Sequence, residues 1–304
     1  MERYHPTALM RRILFFWLLI ACALPGLAGA KQAYPFSVSA ERSGAGHDLI
    51  ARNRGPAPVS VRLTLTATDN VAATQPLPVL AVVRPHSELL LLQIRPAVPG
   101  RGLRFSTQST YSIGSFYAIP DPRAIYRLPY QDGRSFVISQ APGGPLTTHN
   151  TDDSEYAVDF TMPENTPIVA ARDGVVIETE SANRLGSKDR GLLAAANYVR
   201  ILHADETVAT YAHLAPDGVR VRPGEKVSAG TVIGLSGATG YASGPHLHFV
   251  VQKLVRRNEG FAMASVAIRF YVGNPARVFE PKFRQLATAD YSTPGKPPPL
   301  ADAP

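Results

Sequence analysis

Residues 59–66, VSVRLTLT, alternate without a break. Val59, Val61, Leu63 and Leu65 share one face and Ser60, Arg62, Thr64 and Thr66 the other, the two-residue period of a strand with one buried side. LPVLAVV (77–83), ELLLLQI (88–94) and LRFSTQSTYSIG (103–114) come next at short intervals, between turns that contain Pro or Gly. This spacing predicts a small, Ig-like antiparallel β-sandwich over 31–128. The Pro- and Gly-containing stretch AIPDPRAIYRLPYQDG (118–133) connects it to the larger, C-terminal part of the chain. That part contains SFVIS, YAVDF, PIVAARDGVVIETE, NYVRILHA, TVATYAHL, VRVRPGEKV, TVIGLSG and HLHFVVQ, strand-like runs with tight glycine turns and almost no helical period. They predict a second, larger all-β domain over 129–281. The tail YSTPGKPPPLADAP has too few apolar residues to pack, so 282–304 is expected to be disordered.

Composition agrees with a turn-rich β protein: 45% apolar and 18% charged residues, with 27 prolines and 24 glycines in 304 residues. The first thirty residues stand apart. Arg11 and Arg12 precede ILFFWLLIACAL, and the stretch ends in Ala28, Gly29 and Ala30, the pattern of a secretory signal cleaved before Lys31. The apolar run is short for a membrane span. Leu19-Ile20-Ala21-Cys22 also fits a lipoprotein box, which makes a membrane anchor conditional on lipidation of Cys22; the residues after Cys22 stay apolar, as signal cleavage after Ala30 requires. The protein is expected in the bacterial envelope, periplasmic or secreted, and as a monomer. Cys22 is the single cysteine, so no disulfide supports the folded part. Without Arg3, Arg11, Arg12 and Glu2 the chain carries 28 basic and 23 acidic residues, a spread-out excess without aromatic interleaving that argues against nucleic acid as partner.

The chemistry gathers in the second domain. In SGPHLHFVV (243–251) an extended backbone puts His246 and His248 on one face, with Leu247 and Phe249 on the other. Gly237, Gly240 and Gly244 let the chain turn sharply just before them. Catalytic zinc takes three ligands from His, Asp or Glu and leaves a position for water. THNTDDSEYAVDF supplies His149 and Asp159, and TYAHL supplies His213. A carboxylate between Val158 and Phe160 is costly to bury unless paired or metal-bound. His47 and His86, beside turns, are read as surface or turn residues, and His203 in ILHAD as a turn residue.

Taken together, His149, Asp159, YAHL and SGATGYASGPHLHF resemble the M23 family of zinc metallopeptidases, the lysostaphin and LytM-type murein endopeptidases. PENTPIVAARDGVV and VRPGEKVSAGTVIG resemble the family's intervening strands and turns. The resemblance implies an antiparallel β-sheet metallopeptidase domain of LytM type, with His149, Asp159 and His248 binding Zn²⁺ and His213 and His246 beside the metal water as general base and transition-state stabiliser. It implies hydrolysis of peptidoglycan peptide cross-links without a covalent intermediate, the branch resemblance favouring the D-Ala to diaminopimelate bond. Two departures stand out: nine residues separate His149 from Asp159 where the family spacing is short, and Asn165 replaces the usual glycine. The segment 181–196, SANRLGSKDRGLLAAA, is expected to form one wall of the substrate cleft; its Arg184, Lys188 and Arg190 are read first as a solvated face, with contact to substrate carboxylates as the alternative. Two other functions compete. A noncatalytic activator of cell-wall amidases on the same fold typically lacks zinc ligands, which this chain retains. A biotinyl- or lipoyl-type carrier shares the VRPGEKVSAGTVIG hairpin but has no use for HLH.

Overall fold

The computed structural model describes residues 33–258, 260–295 and 298–302. The leader reading, residues 1–30 with Cys22, lies outside them. Among the described residues the chain is all-β, and no helix is long and apolar enough to cross a membrane.

The sandwich is built from β1 (Phe36–Ser43), β2 (Gly46–Asn53), β3 (Val59–Asp69), β4 (Val71–Ala73), β5 (Val79–Val83), β6 (Ser87–Pro96) and β7 (Arg104–Ile113). Two sheets, β1-β2-β6-β4 and β5-β3-β7, enclose a common core. The alternation in β3 has its expected result: Val61 and Leu63 are fully buried, in one core with Leu49, Val79, Val83 and Ile94. The first hairpin, β1 with β2, is not among the strands read from the sequence, although Phe36, Val38 and Ala40 alternate with polar residues; from this edge strand Phe36 and Val38 pack against the core.

From Tyr126 onwards the chain enters a second core. Its elements are β8 (Tyr126–Arg127), β9 (Ser135–Gln140), β10 (Val158–Thr161), β11 (Pro167–Val169), β12 (Gly174–Glu180), β13 (Gly186–Ser187), a 3-10 helix (Arg190–Ala195), β14 (Tyr198–Leu202), β15 (Val208–Ala212), β16 (Lys226–Val227), β17 (Val232–Leu235), β18 (Gly240–Tyr241), β19 (His246–Arg257), β20 (Gly260–Ser265), β21 (Phe270–Val272), β22 (Arg277–Phe279), β23 (Gln285–Thr288) and β24 (Ala301–Asp302). The main sheet runs β16-β12-β14-β15-β19-β10-β9-β23-β24. β19 is long enough to pair with β10 at its start and β20 at its end. One face of β19, with Leu247, Phe249 and Val251, lies in the core beside Tyr211, Phe160 and Phe270. The other face carries His246 and His248 and continues to Leu254.

At the far end of that second face the two modules meet. Tyr34, Ala57 and Ile113 of the sandwich pack with Ile177, Leu202, Val208 and Met263 of the large sheet, and Phe116 stacks on Phe261 with ring centroids 5.3 Å apart. Two expectations are corrected here. VRVRPGEKV contributes only the two residues of β16, because Pro223 and Gly224 shape a turn rather than a ladder. The stretch 282–302, expected to be disordered, contains β23 and β24 at the sheet edge. Its hold is polar as much as apolar: the Tyr130 hydroxyl donates to the Ala287 carbonyl at 2.7 Å, Leu128 N–H donates to the Tyr291 hydroxyl at 2.6 Å, and that hydroxyl donates to the Tyr271 carbonyl at 3.0 Å.

Candidate metal centre

Sheet register assembles the centre. In the antiparallel β10–β19 ladder Asp159 lies opposite His248 and Thr161 opposite His246, so Asp159 projects from the same face as the histidine pair. β15 places Ala212 opposite His248 on the other side, and His213 comes next at the strand end. His213 adopts φ +64°, a left-handed conformation that is costly for a residue with a Cβ and recurs at functional sites.

Two glycines let the segment before β19 approach this corner. A Cβ on Gly237 would stand 2.6 Å from the Ala215 backbone, and one on Gly240, φ +80°, would stand 2.7 Å from Ala196 N. Gly244 has open space around it. Asn165, noted for replacing glycine, has φ +62°, a conformation that asparagine tolerates better than most residues with a Cβ. The substitution therefore preserves the turn.

The ligand atoms of His149, Asp159 and His248 lie within 4.8 Å of one another. His149 Nε2 is 3.4 Å from Asp159 Oδ2, and His248 Nδ1 is 3.0 Å from Asp159 Oδ1. Ligands about 2.0–2.1 Å from a tetrahedral zinc stand roughly 3.3 Å from each other, so the donor set and its spacing fit such an ion. The Asp159 side chain is 4% exposed. Burial alone would raise its carboxyl, but hydrogen bonds and charge from His149 and His248 outweigh that and hold it below the usual carboxylate range.

His213 and His246 complete the group, their ring centroids 4.5 Å apart and those of His213 and His248 5.9 Å apart. His213 Nδ1 lies 2.7 Å from the Thr239 carbonyl and His246 Nδ1 2.8 Å from the Gly244 carbonyl. A carbonyl only accepts, so each Nδ1 carries the proton and each neutral ring is left with a bare Nε2 able to take one. Burial, then the neighbouring His246 and His248, pushes His213 down to about 3. All five residues singled out from the sequence are thus brought together.

The long connection between His149 and Asp159 is pinned on the sheet. Ser265 N–H donates to the Asp152 carbonyl at 2.7 Å, Gln252 Nε2 to the Asp153 carbonyl at 2.8 Å, and Tyr156 N–H to Ser265 Oγ at 3.2 Å. On the other side of the centre, 181–196 folds against the 237–242 segment through the parallel β13–β18 pair. Asp189 caps its short helix by accepting from Gly191 N–H at 2.9 Å. Arg184 pairs with Asp217 at 2.6 Å and Arg190 lies over the Tyr241 ring. Lys188 is exposed.

Residues without a titratable signature escape sequence reasoning. Asn197, 0% exposed, donates through Nδ2 to the carbonyls of Asn183, Leu214 and Ala215 and accepts at Oδ1 from Asn183 N–H. Its own N–H donates to Thr239 Oγ1, and the Thr239 carbonyl holds His213. Gln140 reaches Asp159. His203, read as a turn residue, has a buried ring at 3% exposure, its Nδ1 2.8 Å from the Asp173 carbonyl; its Tyr126 neighbour lies far from it in sequence, so no local pattern announces the burial. His86 does sit in a turn, exposed, with φ +51°. His47 is a half-buried residue of β2 whose ring meets Phe105 edge-on.

Comparison with known proteins adds lineage to this geometry. Residues 153–260 match the model of peptidase family M23, which takes in Asp159, His213, His246 and His248 and begins after His149. Peptidoglycan DD-endopeptidase ShyA of Vibrio cholerae is 43% identical over 91 residues, 30% of this chain and 18% of that protein. Glycyl-glycine endopeptidase ALE-1 of Staphylococcus capitis is 37% identical over 106 residues, 35% of this chain and 26% of that one. The chain therefore spans about a quarter or less of the length of these relatives. Among solved structures, the catalytic domain of the prophage-encoded M23 protein EnpA from Enterococcus faecalis is 28% identical, covering 45% of this chain and 92% of that one at a TM-score of 0.33. The stretch that carries four of the five clustered residues, 153–260, belongs to peptidase family M23.

Proposed function

We propose that the protein is a zinc-dependent endopeptidase of the bacterial envelope that hydrolyses peptide cross-links of peptidoglycan. The observation that carries the reading is the convergence of five side chains from β10, β19, the end of β15 and the 149 loop, three with the donor set and spacing of a metal site and two whose Nδ1 faces a backbone carbonyl beside it. His149, Asp159 and His248 would hold the ion. Zinc bound there lowers the pKa of water from 15.7 towards about 7 and polarises the scissile carbonyl.

The protein's own side chains do the rest. His213 and His246 are each oriented by a backbone carbonyl; one receives at its bare Nε2 the proton released by the attacking water, and the other, once protonated at Nε2, donates that N–H to the charge developing on the carbonyl oxygen. Relatives named as a peptidoglycan DD-endopeptidase and a glycyl-glycine endopeptidase support a murein peptide as substrate class, and the former supports a D-Ala to diaminopimelate bond.

Retention of every ligand and both further imidazoles weighs against the noncatalytic activator. Incubation of purified sacculi with the protein, with and without chelator, then mass spectrometry of released muropeptides, tests the proposal. Conversion of cross-linked muropeptides to uncross-linked monomers that stops on chelation and returns with zinc is expected. Intact sacculi, digested only when an amidase is added, would instead establish the activator.

A further inference from the structure

The register that sets Asp159 against His248 sets Gln140 against Asp159 on its other side, so three adjacent strands contribute one row: Gln140 on β9, Asp159 on β10 and His248 on β19. Gln140 Nε2 donates to Asp159 Oδ2 at 2.7 Å. Its Oε1 accepts from Thr148 N–H at 2.6 Å and from the Thr148 hydroxyl at 3.2 Å. These partners fix which way the amide points, because a carboxylate only accepts and a peptide N–H only donates.

Thr148 is the residue before His149. The His149 ring has no hydrogen-bond anchor on its outer side, where Nδ1 is buried and unpartnered. Metal-binding histidines ordinarily donate that proton to a carbonyl, carboxylate or water, which fixes the ring. Here the ring's position depends on the backbone that carries it, and Gln140 anchors that backbone one residue away.

We infer that Gln140 is the positioning residue of the metal centre, a single amide that orients Asp159 directly and His149 through the backbone of Thr148. It tethers the His149 end of the nine-residue connection, whose Asp152 to Tyr156 part is pinned on the sheet separately. Its role is exercised on the ligands and not on substrate. The inference rests on the functional reading above, since it presumes that these ligands bind zinc.

Zinc affinity of the full chain, measured by competition with a chromogenic chelator, tests it. Gln140→Leu keeps the bulk and removes all three bonds; Gln140→Ala is the second variant in case the first misfolds. Both are expected to bind zinc ten- to a hundredfold more weakly than wild type, the usual consequence of removing such a partner. The melting temperature of the metal-free protein should stay close to wild type, and excess zinc should restore activity with an unchanged KM. Wild-type affinity in both variants, or activity that excess zinc does not restore, would overturn the inference while leaving the hydrolase reading intact. A wild-type protein that takes up no zinc would remove both.

Discussion

His248 and His213 differ in what faces them. His248 turns Nδ1 to Asp159 within the ligand cluster, whereas His213 commits Nδ1 to the Thr239 carbonyl and keeps Nε2 for a transferable proton. His248→Ala should therefore lose both zinc and activity, while His213→Ala should retain zinc and lose turnover by a factor of about 10² or more, the usual contribution of general acid–base catalysis. Metal content by atomic emission beside hydrolysis rates on the same samples checks this, and equal zinc loss in both variants would exchange the assigned roles. Such residues announce themselves in sequence because an imidazole pair at strand period and a carboxylate between Val158 and Phe160 conflict with an apolar environment. Gln140 and Asn197 do not: a neutral amide is unremarkable anywhere, and its importance comes from a register that only folding sets.

The 181–196 connection and the strand end at His213 are held together chiefly by Asn197. Replacing it with Ala leaves the Asn183 N–H and the Asn183 carbonyl without this partner, while the Leu214 and Ala215 carbonyls keep their bonds from Thr239 Oγ1 and Gly218 N–H. Each buried polar group left unsatisfied costs about 1–3 kcal/mol before relaxation, so Asn197→Ala should destabilise the protein by about 2–4 kcal/mol. Urea denaturation monitored by circular dichroism reads the loss; an unchanged midpoint would show that the amide carries no such weight. The strands that can be read beforehand bury apolar residues in quantity: β3 at the alternate positions Val59, Val61 and Leu63, β19 at Leu247, Phe249 and Val251, and β6 at Leu91, Leu92 and Ile94. Those that escape, β21 to β24, are edges or very short, and pairing and tyrosine hydroxyls help to fix them.

The two modules share an apolar seam, so the second face of the large sheet is closed by the sandwich at one end and carries the metal centre at the other. The stability of the whole should fall in acid, with His203 and Asp205 contributing beside His213, which burial also pushes down. His203 is buried as a neutral ring, its pKa pushed down from 6.5 to about 4 chiefly by burial. The unfolded chain takes up this proton as pH falls through 6.5 and the folded chain does not until about 4, so stability present above 6.5 is lost between those values, by about 3 kcal/mol. Burial raises Asp205, but Arg172 and Thr207 outweigh it and lower it to about 2, so its contribution persists above the ordinary carboxylate value and fades as pH falls from there towards 2. Denaturation midpoints from pH 7 to 4 should decline, and less steeply in His203→Gln; parallel declines would remove His203 as the cause. The proposed function depends on one ion in one place. An anomalous difference map collected at the zinc edge from zinc-loaded crystals should show a single peak among His149 Nε2, His248 Nδ1 and the Asp159 carboxylate, whereas no peak there, or a peak held by other residues, would contradict it.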